Sequence, residues 1–276
     1  MNTIIQPTRC HDKKLVDSWT LSLGLSYTEE IVMNTPTISV IIPALNEVRT
    51  ICSVIEIVRT WEKTLEIIVV NDEATTDDTL AALKRYKGMI TILINKKNKG
   101  KGDALATGIA KATGDILLFI DADLMSLTHF DLEKLVSPLL NGKAHMATAI
   151  LKYWKAGSFE PFSEISGTRA LYRNIVSSHL KSIKTSGYGV ELLFNEFHKR
   201  KKIVYVRLPH VYVVNKFEKQ NIPDALLVYI KEAKELVTEM LRQQRDAISP
   251  QAVRVFRGVQ NYLKKSLEYI KTIDMS

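Results

Sequence analysis

The chain has 276 residues, a net charge of +8, 46% hydrophobic and 25% charged residues, a balance that suits a globular protein with one large core and excludes a low-complexity or disordered chain. No apolar run approaches the roughly 18 residues of a bilayer-crossing helix, and the start, Met1 to Pro7, lacks the basic flank and apolar core of a signal peptide, so a cytoplasmic location is expected. The positive charge points to anionic company, either phosphorylated small molecules or an anionic membrane surface, while the absence of zinc-finger spacing, RNA-recognition aromatics and homeodomain-like helices argues against nucleic acid.

Residues 1–36 form an N-terminal extension with helical spacing near Lys13 to Leu25, and Cys10 and Cys52 have neither metal-ligand spacing nor the number for a disulfide framework. The organised domain begins at Thr37. Ile38 to Ile42 reads as a β-branched strand closed by Pro43. Ala44-Leu45-Asn46-Glu47 then leads into a helix whose apolar residues Ile51, Val54, Ile55 and Val58 share one face. A second strand, Leu65 to Val70, ends at Asn71-Asp72-Glu73, and Thr75 to Thr79 supply helix-capping residues. A third, Met89 to Ile94, ends at Asn95. The basic loop Asn98-Lys99-Gly100-Lys101-Gly102-Asp103 follows: Gly100 and Gly102 allow close backbone approach, and Lys99 and Lys101 offer charge to phosphate. It matches neither the Walker loop nor the dinucleotide Gly-x-Gly-x-x-Gly. After a helix over Ala104 to Ala112, the run Ile116 to Ile120 reads as a strand buried on both faces, ending in Asp121 and Asp123.

Strands and helices alternating through short connections predict a parallel sheet of right-handed βαβ units, with ligands beyond the carboxyl ends of the strands. Every polar cluster named so far falls at such an end. Two carboxylates two residues apart point the same way along a strand and suit Mg²⁺ or Mn²⁺ shared with a diphosphate.

In the second half, Glu164 to Arg173 contains Ser-Gly-Thr-Arg-Ala, and Ser186-Gly-Tyr-Gly-Val-Glu191 opens an apolar helix. Ile203 to His210 reads as a further strand. From Pro223 onward two helical stripes follow, Leu226 to Leu241 and Val255 to Ile270. They predict a C-terminal helical hairpin over 222–276, packed on the body or across a homodimer. The alternative is peripheral membrane contact through Arg254, Arg257, Lys264, Lys265 and Lys271 at the inner membrane face.

The stretches Ser39 to Glu47, Ile67 to Asp72, Gly100 to Leu105 and Gly114 to Asp123 together resemble the nucleotide-sugar glycosyltransferases of the GT-A fold, over about residues 37–215, within an expected domain of residues 37–221. The resemblance is to family 2, including dolichyl-phosphate mannose synthases, and, through Gly187 to Glu191, to the glucosyl-3-phosphoglycerate synthases. It implies an α/β, Rossmann-like, mostly parallel sheet flanked by helices, and a metal-dependent transfer of a sugar from a UDP- or GDP-linked donor to a phosphorylated or lipid-phosphate acceptor. It implies that Pro43, Leu45, Glu47 and Asp72 line the nucleoside pocket, with Asn71 standing where the family often has a second acid. Lys101 and Gly102 then lie near the diphosphate, which Asp121 and Asp123, the Asp-x-Asp motif, hold through Mg²⁺ or Mn²⁺. Arg169 is expected to face a phosphorylated acceptor or the leaving diphosphate, Glu191 to act as general base or to position a sugar hydroxyl, and His210 to add a metal ligand. Dolichyl-phosphate mannose synthases commonly carry Gln where this chain has Met125. The rival readings are a nucleotidyltransferase, which would carry a glycine-rich, Arg-containing loop after the first strand, and a catalytically silent nucleotide-sugar-binding scaffold.

Overall fold

The computed structural model describes residues 35–96, 100–153, 157–158 and 166–214. The expected N-terminal extension up to residue 34, Asn98, Lys99 and the C-terminal hairpin lie outside the described residues. The unit that holds the sheet begins at Pro36.

Its elements run β1 (Ile38–Ala44), α1 (Ile51–Thr60), β2 (Thr64–Asp72), α2 (Thr79–Leu83), β3 (Thr91–Asn95), α3 (Lys101–Lys111), β4 (Ile116–Phe119), β5 (Leu124–Met125), α4 (His129–Leu140), β6 (Met146–Tyr153), β7 (Gly157–Ser158), β8 (Arg169–Tyr172), α5 (Arg173–Val176), α6 (Leu180–Thr185), α7 (Val190–Phe197) and β9 (Ile203–Val213). The sheet order is β3-β2-β1-β4-β8-β6-β9-β5, with β7 paired to β6. β1 to β4 are mutually parallel, as the alternating pattern predicts. β8 inserts antiparallel between β4 and β6, β9 runs parallel to β6, and β5 closes antiparallel on β9.

Both faces of the parallel strands are covered, which is why these strands are continuous apolar runs. On one face Ile42, Val69 and Leu118 pack with Ile51, Val54, Ile55 and Val58 of α1 and Leu132, Leu135 and Leu139 of α4. On the other, Ile41, Val70 and Leu117 pack with Leu105 and Ile109 of α3 and Phe194 of α7. Each buried aliphatic or aromatic side chain contributes about 1.5–3 kcal/mol of transfer free energy. Helix α4 starts at a full capping box, the Thr128 hydroxyl and the Asp131 carboxylate each satisfying the other's backbone N–H.

Two of the boundaries that differ from the sequence reading shape the functional edge. β2 runs on through Asn71 and Asp72, because β3 pairs with it as far as Asn95. Helix α3 starts at Lys101, so half of the expected Lys-Gly loop is its first turn. Gly100 makes this possible as N-cap, with φ 84°.

Candidate active site

The loops after β1 and β2 are fastened to one another. Asn46 takes a left-handed backbone (φ 57°), which Asn tolerates better than most residues. Its Oδ1 accepts from Thr76 N at 2.7 Å, while Glu47 N donates to Thr79 Oγ1 at 2.8 Å and Val48 N to Asp77 Oδ2 at 3.1 Å. Pro43 pairs with Val70, which lies in the core on the α3 side, so strand alternation turns Pro43 and Asp72 to that side. Asn71 pairs with Ala44 and faces the α1 side. Asn71 therefore stands on the opposite side of the sheet from Asp72 and shapes the loop that follows. Its Nδ2 donates to Asp72 O at 3.0 Å and its Oδ1 accepts from Thr75 Oγ1 at 3.3 Å.

At the centre lies Lys101, the first residue of α3. Its Nζ stands 2.6 Å from Asp121 Oδ1 and 2.9 Å from Glu191 Oε1. Thr168 Oγ1 donates to Asp121 Oδ2 at 3.2 Å. Gly167 closes over the pair: a Cβ there would lie 2.1 Å from Lys101 Nζ and 2.5 and 2.7 Å from the Asp121 oxygens, so any larger residue must push the ion pair aside. The three side chains are 17%, 19% and 7% exposed. Burial alone would lower the Lys101 pKa, but the charges of Asp121 and Glu191 outweigh it and hold that pKa well above its ordinary value. Burial likewise pushes Asp121 up, and Lys101 with the Thr168 hydroxyl reverses this, leaving the carboxyl below its usual range. Asp123 follows two residues later, its carbonyl accepting from Val214 N at 3.2 Å and so fixing the end of β9 beside the motif.

Three further expected roles change. Arg169 is fully buried and faces no ligand space. Its Nε and Nη2 donate to Ser166 O, its Nη1 to Glu191 O and Asn195 Oδ1, both at 3.1 Å, and the guanidinium stands 5.7 Å from the Phe194 ring centroid. It ties the segment before Gly167 to the start of α7, and so braces two walls around Lys101. Gly102 serves packing: a Cβ there would lie 2.4 Å from Ile183 O and 2.6 Å from Ser186 Oγ, so glycine lets α3 seat against α6. His210 sits where β9 jumps register, from Leu151↔Leu208 to Lys152↔Tyr212. The bulge aims its ring away from the motif, with Nε2 3.0 Å from Asp131 Oδ2 in the α4 cap. His210 is not a ligand beside Asp121 and Asp123.

Among the described residues no group of three His, Cys, Asp or Glu side chains is placed to hold a metal by itself. Asp121 and Glu191 nonetheless already balance Lys101, and Asp123 adds a further carboxylate two residues beyond Asp121. A site of that balance accepts a diphosphate only with an added cation, and oxygen donors shared with phosphate are the chemistry of Mg²⁺ and Mn²⁺. Gly167, Thr168 and Asn95 escaped the sequence reading. Ser166-Gly-Thr-Arg drew attention to its arginine, and nothing local announces that its glycine abuts an ion pair.

The sequence signature of glycosyl transferase family 2 matches residues 39–189, from β1 to the turn before α7. The chain belongs to glycosyl transferase family 2. Glucosyl-3-phosphoglycerate synthase of Mycobacterium tuberculosis is 35% identical over 116 residues, 39% of this chain and 35% of that protein. The enzyme of the same name from Mycolicibacterium smegmatis is 34% identical over 110 residues, 38% of this chain and 36% of that protein. The chain spans about a third of the length of the curated synthases it matches. The crystal structure of the M. tuberculosis synthase with Mn²⁺, UDP and glucosyl-3-phosphoglycerate superposes with a TM-score of 0.59 at 26% identity, covering 75% of this chain and 79% of that one. Its complex with Mg²⁺ and UDP gives a TM-score of 0.57 at 25% identity, covering 74% and 79%. The structural neighbours thus share the GT-A arrangement of a central sheet flanked by helices. No helix of the described residues is long and apolar enough to cross a membrane.

Proposed function

We propose that this chain is a glycosyltransferase that moves a sugar from a nucleoside diphosphate sugar, with UDP as the nucleotide, to a small phosphorylated acceptor of the phosphoglycerate kind. The reading is carried by the Lys101–Asp121–Glu191 cluster, closed by Gly167 and set at the carboxyl edge of the parallel strands beside Asp123. Crystal structures of the mycobacterial synthase hold UDP, UDP-glucose, phosphoglyceric acid and glycerol 3-phosphate. The matching Gly187 to Glu191 segment extends that acceptor class to this chain.

Pro43 and Asp72 border the nucleoside, with the two clamped loops holding that edge rigid. Lys101 presents a fixed positive charge at the first turn of α3, where backbone N–H groups also favour an anion, so the departing diphosphate meets preorganised charge. Asp123, with Asp121 behind it, would hold Mg²⁺ or Mn²⁺, which when bound supplies Lewis-acid neutralisation of the diphosphate. Asp121 keeps Lys101 in place and Thr168 keeps Asp121 in place. Glu191 Oε1 is engaged by Lys101, which makes Glu191 a positioning residue acting through that lysine in this reading and not the proton acceptor.

Calorimetry with UDP, GDP, CDP and ADP, each with Mn²⁺, Mg²⁺ or EDTA, tests the donor site on wild type and Asp123→Asn. Metal-dependent binding of UDP that the variant loses is expected. Binding of no diphosphate under any condition overturns the reading. Turnover of UDP-glucose with 3-phosphoglycerate, glycerol 3-phosphate or a polyprenyl phosphate then sorts small acceptors from lipid ones.

A further inference from the structure

The last residue of β3, Asn95, is 8% exposed, and its Nδ2 is a buried donor without a hydrogen-bond partner. Such groups are rare because burial strips a donor of water without replacement, and a native protein that keeps one invites a functional reason. The sheet register says where this donor stands. Asn95 pairs with Asp72 in parallel β3 and β2, so both side chains leave the sheet on the same face. Val70 and Leu93, one alternation earlier on the two strands, pack against α3 on that face. Asp72 is 5% exposed, and its Oδ1 accepts from Ala74 N at 2.9 Å. An amide donor and a carboxylate acceptor therefore stand side by side, nearly dry, at the carboxyl edge, with Pro43 on the neighbouring strand.

A nucleobase edge presents the complementary pair. In a keto base such as uracil a ring N–H lies next to a carbonyl oxygen. Asp72 faces the first and an Asn95 amide faces the second, while the diphosphate extends toward Lys101 across β1 and β4. We infer that Asn95 is a base-reading residue of the donor site, donating from Nδ2 to a carbonyl oxygen of the nucleobase whose neighbouring N–H is taken by Asp72. The inference rests on the nucleoside diphosphate reading above and adds to it the group that recognises the base.

The experiment compares wild type, Asn95→Leu and Asn95→Asp in calorimetry with UDP, GDP, CDP and ADP and with inorganic pyrophosphate, all with Mn²⁺, alongside thermal unfolding of the free proteins. Asn95→Leu removes a buried unpaired donor, so the free protein is expected to unfold at the same temperature or higher. Its affinity for the nucleotide that wild type binds best is expected to fall about tenfold, with pyrophosphate affinity unchanged. Asn95→Asp puts an acceptor against the base carbonyl and is expected to bind still more weakly, again without loss of pyrophosphate. Should Asn95→Leu fold poorly, Asn95→Asp, with nearly the same shape, carries the comparison. Wild type that binds a nucleotide with both variants matching it overturns the Asn95 assignment alone, as does a parallel loss of pyrophosphate. Wild type that binds pyrophosphate but no nucleotide better overturns the donor reading with it.

Discussion

The two ends of the parallel strands carry polar networks of similar size and opposite character. At the amino end, Glu66 Oε1 accepts from Ser39 Oγ, Thr113 N and Thr113 Oγ1, each at 2.7 Å, and Gly114 N donates to Ser39 Oγ at 2.8 Å. Beside it Thr37 N and Oγ1 both donate to Asp115 Oδ2 at 2.9 Å, and Arg173 Nε donates to Gly114 O at 2.8 Å. Neutral donors wrap each carboxylate, and the network is closed. At the carboxyl end charge meets charge in Lys101, Asp121 and Glu191, Gly167 abuts that ion pair, and a buried donor stands open at Asn95. Fully satisfied polar groups hold a fold together, whereas excess charge and open valences wait for a ligand.

Replacing the central cation should break the carboxyl end most severely. Lys101→Met leaves Asp121 and Glu191 buried without their cation, and a loss of about 3–5 kcal/mol is expected in denaturant unfolding. Turnover of whatever protein remains folded is expected to fall at least roughly 100-fold, the scale for losing one preorganised charge donor. Next comes Gly167→Ala, whose methyl group must displace the ion pair. Here kcat is expected to fall on the order of 100-fold with a smaller change in unfolding temperature, since an ångström of misplacement suffices.

The amino end should respond the other way round. Glu66→Ala removes a charged acceptor from several donors and is expected to cost about 1.5–3 kcal/mol of stability, while calorimetric affinity for the nucleotide stays unchanged. A loss of nucleotide affinity there would break the division between the two ends.

The smallest effect is in pH. Burial raises the Glu66 carboxyl, but the Ser39 and Thr113 bonds outweigh it and leave the group below its ordinary 4.5; Asp115 is lowered chiefly by Thr37. A lowered folded pKa means stability present above the unfolded carboxylate value and lost as pH falls through the folded one. Acid unfolding below about pH 4.5 should therefore be shallower in Glu66→Gln than in wild type. Lys101, raised well above 10.5, contributes stability below its unfolded pKa that is lost only as pH rises through the folded value. The stability curve is thus expected to be level from about pH 7.5 to 9 and to decline toward pH 6, because burial holds the His198 pKa below its ordinary value and the unfolded chain takes up that proton first, checked by urea titrations from pH 6 to 9.

The four parallel strands were legible because burial on both faces writes continuous β-branched runs, as in Ile38 to Ile42 and Ile116 to Phe119, and short polar breaks mark their ends. The same logic placed Asp72, Lys101 and Asp121 at one edge before any coordinate did. Roles were harder to read. Arg169 lies in a motif that invites a phosphate, yet it is buried against Ser166, Glu191 and Asn195. His210 follows a strand where a ligand was expected, yet a bulge delivers it to Asp131. Asn71 neighbours Asp72 in sequence and faces the opposite side of the sheet.

By itself, then, the sequence determined the fold class, the order of the βαβ units and the edge at which the chemistry gathers, since periodicity and strand-end residues are local properties of the chain. Only the tertiary structure decided which side chains meet: that Lys101 spans Asp121 and Glu191, that Gly167 abuts that ion pair, and that Asn95 stands beside Asp72. These are contacts between residues distant in sequence, set by sheet register and by how closely a helix N-terminus approaches a strand end, and no local spacing encodes them.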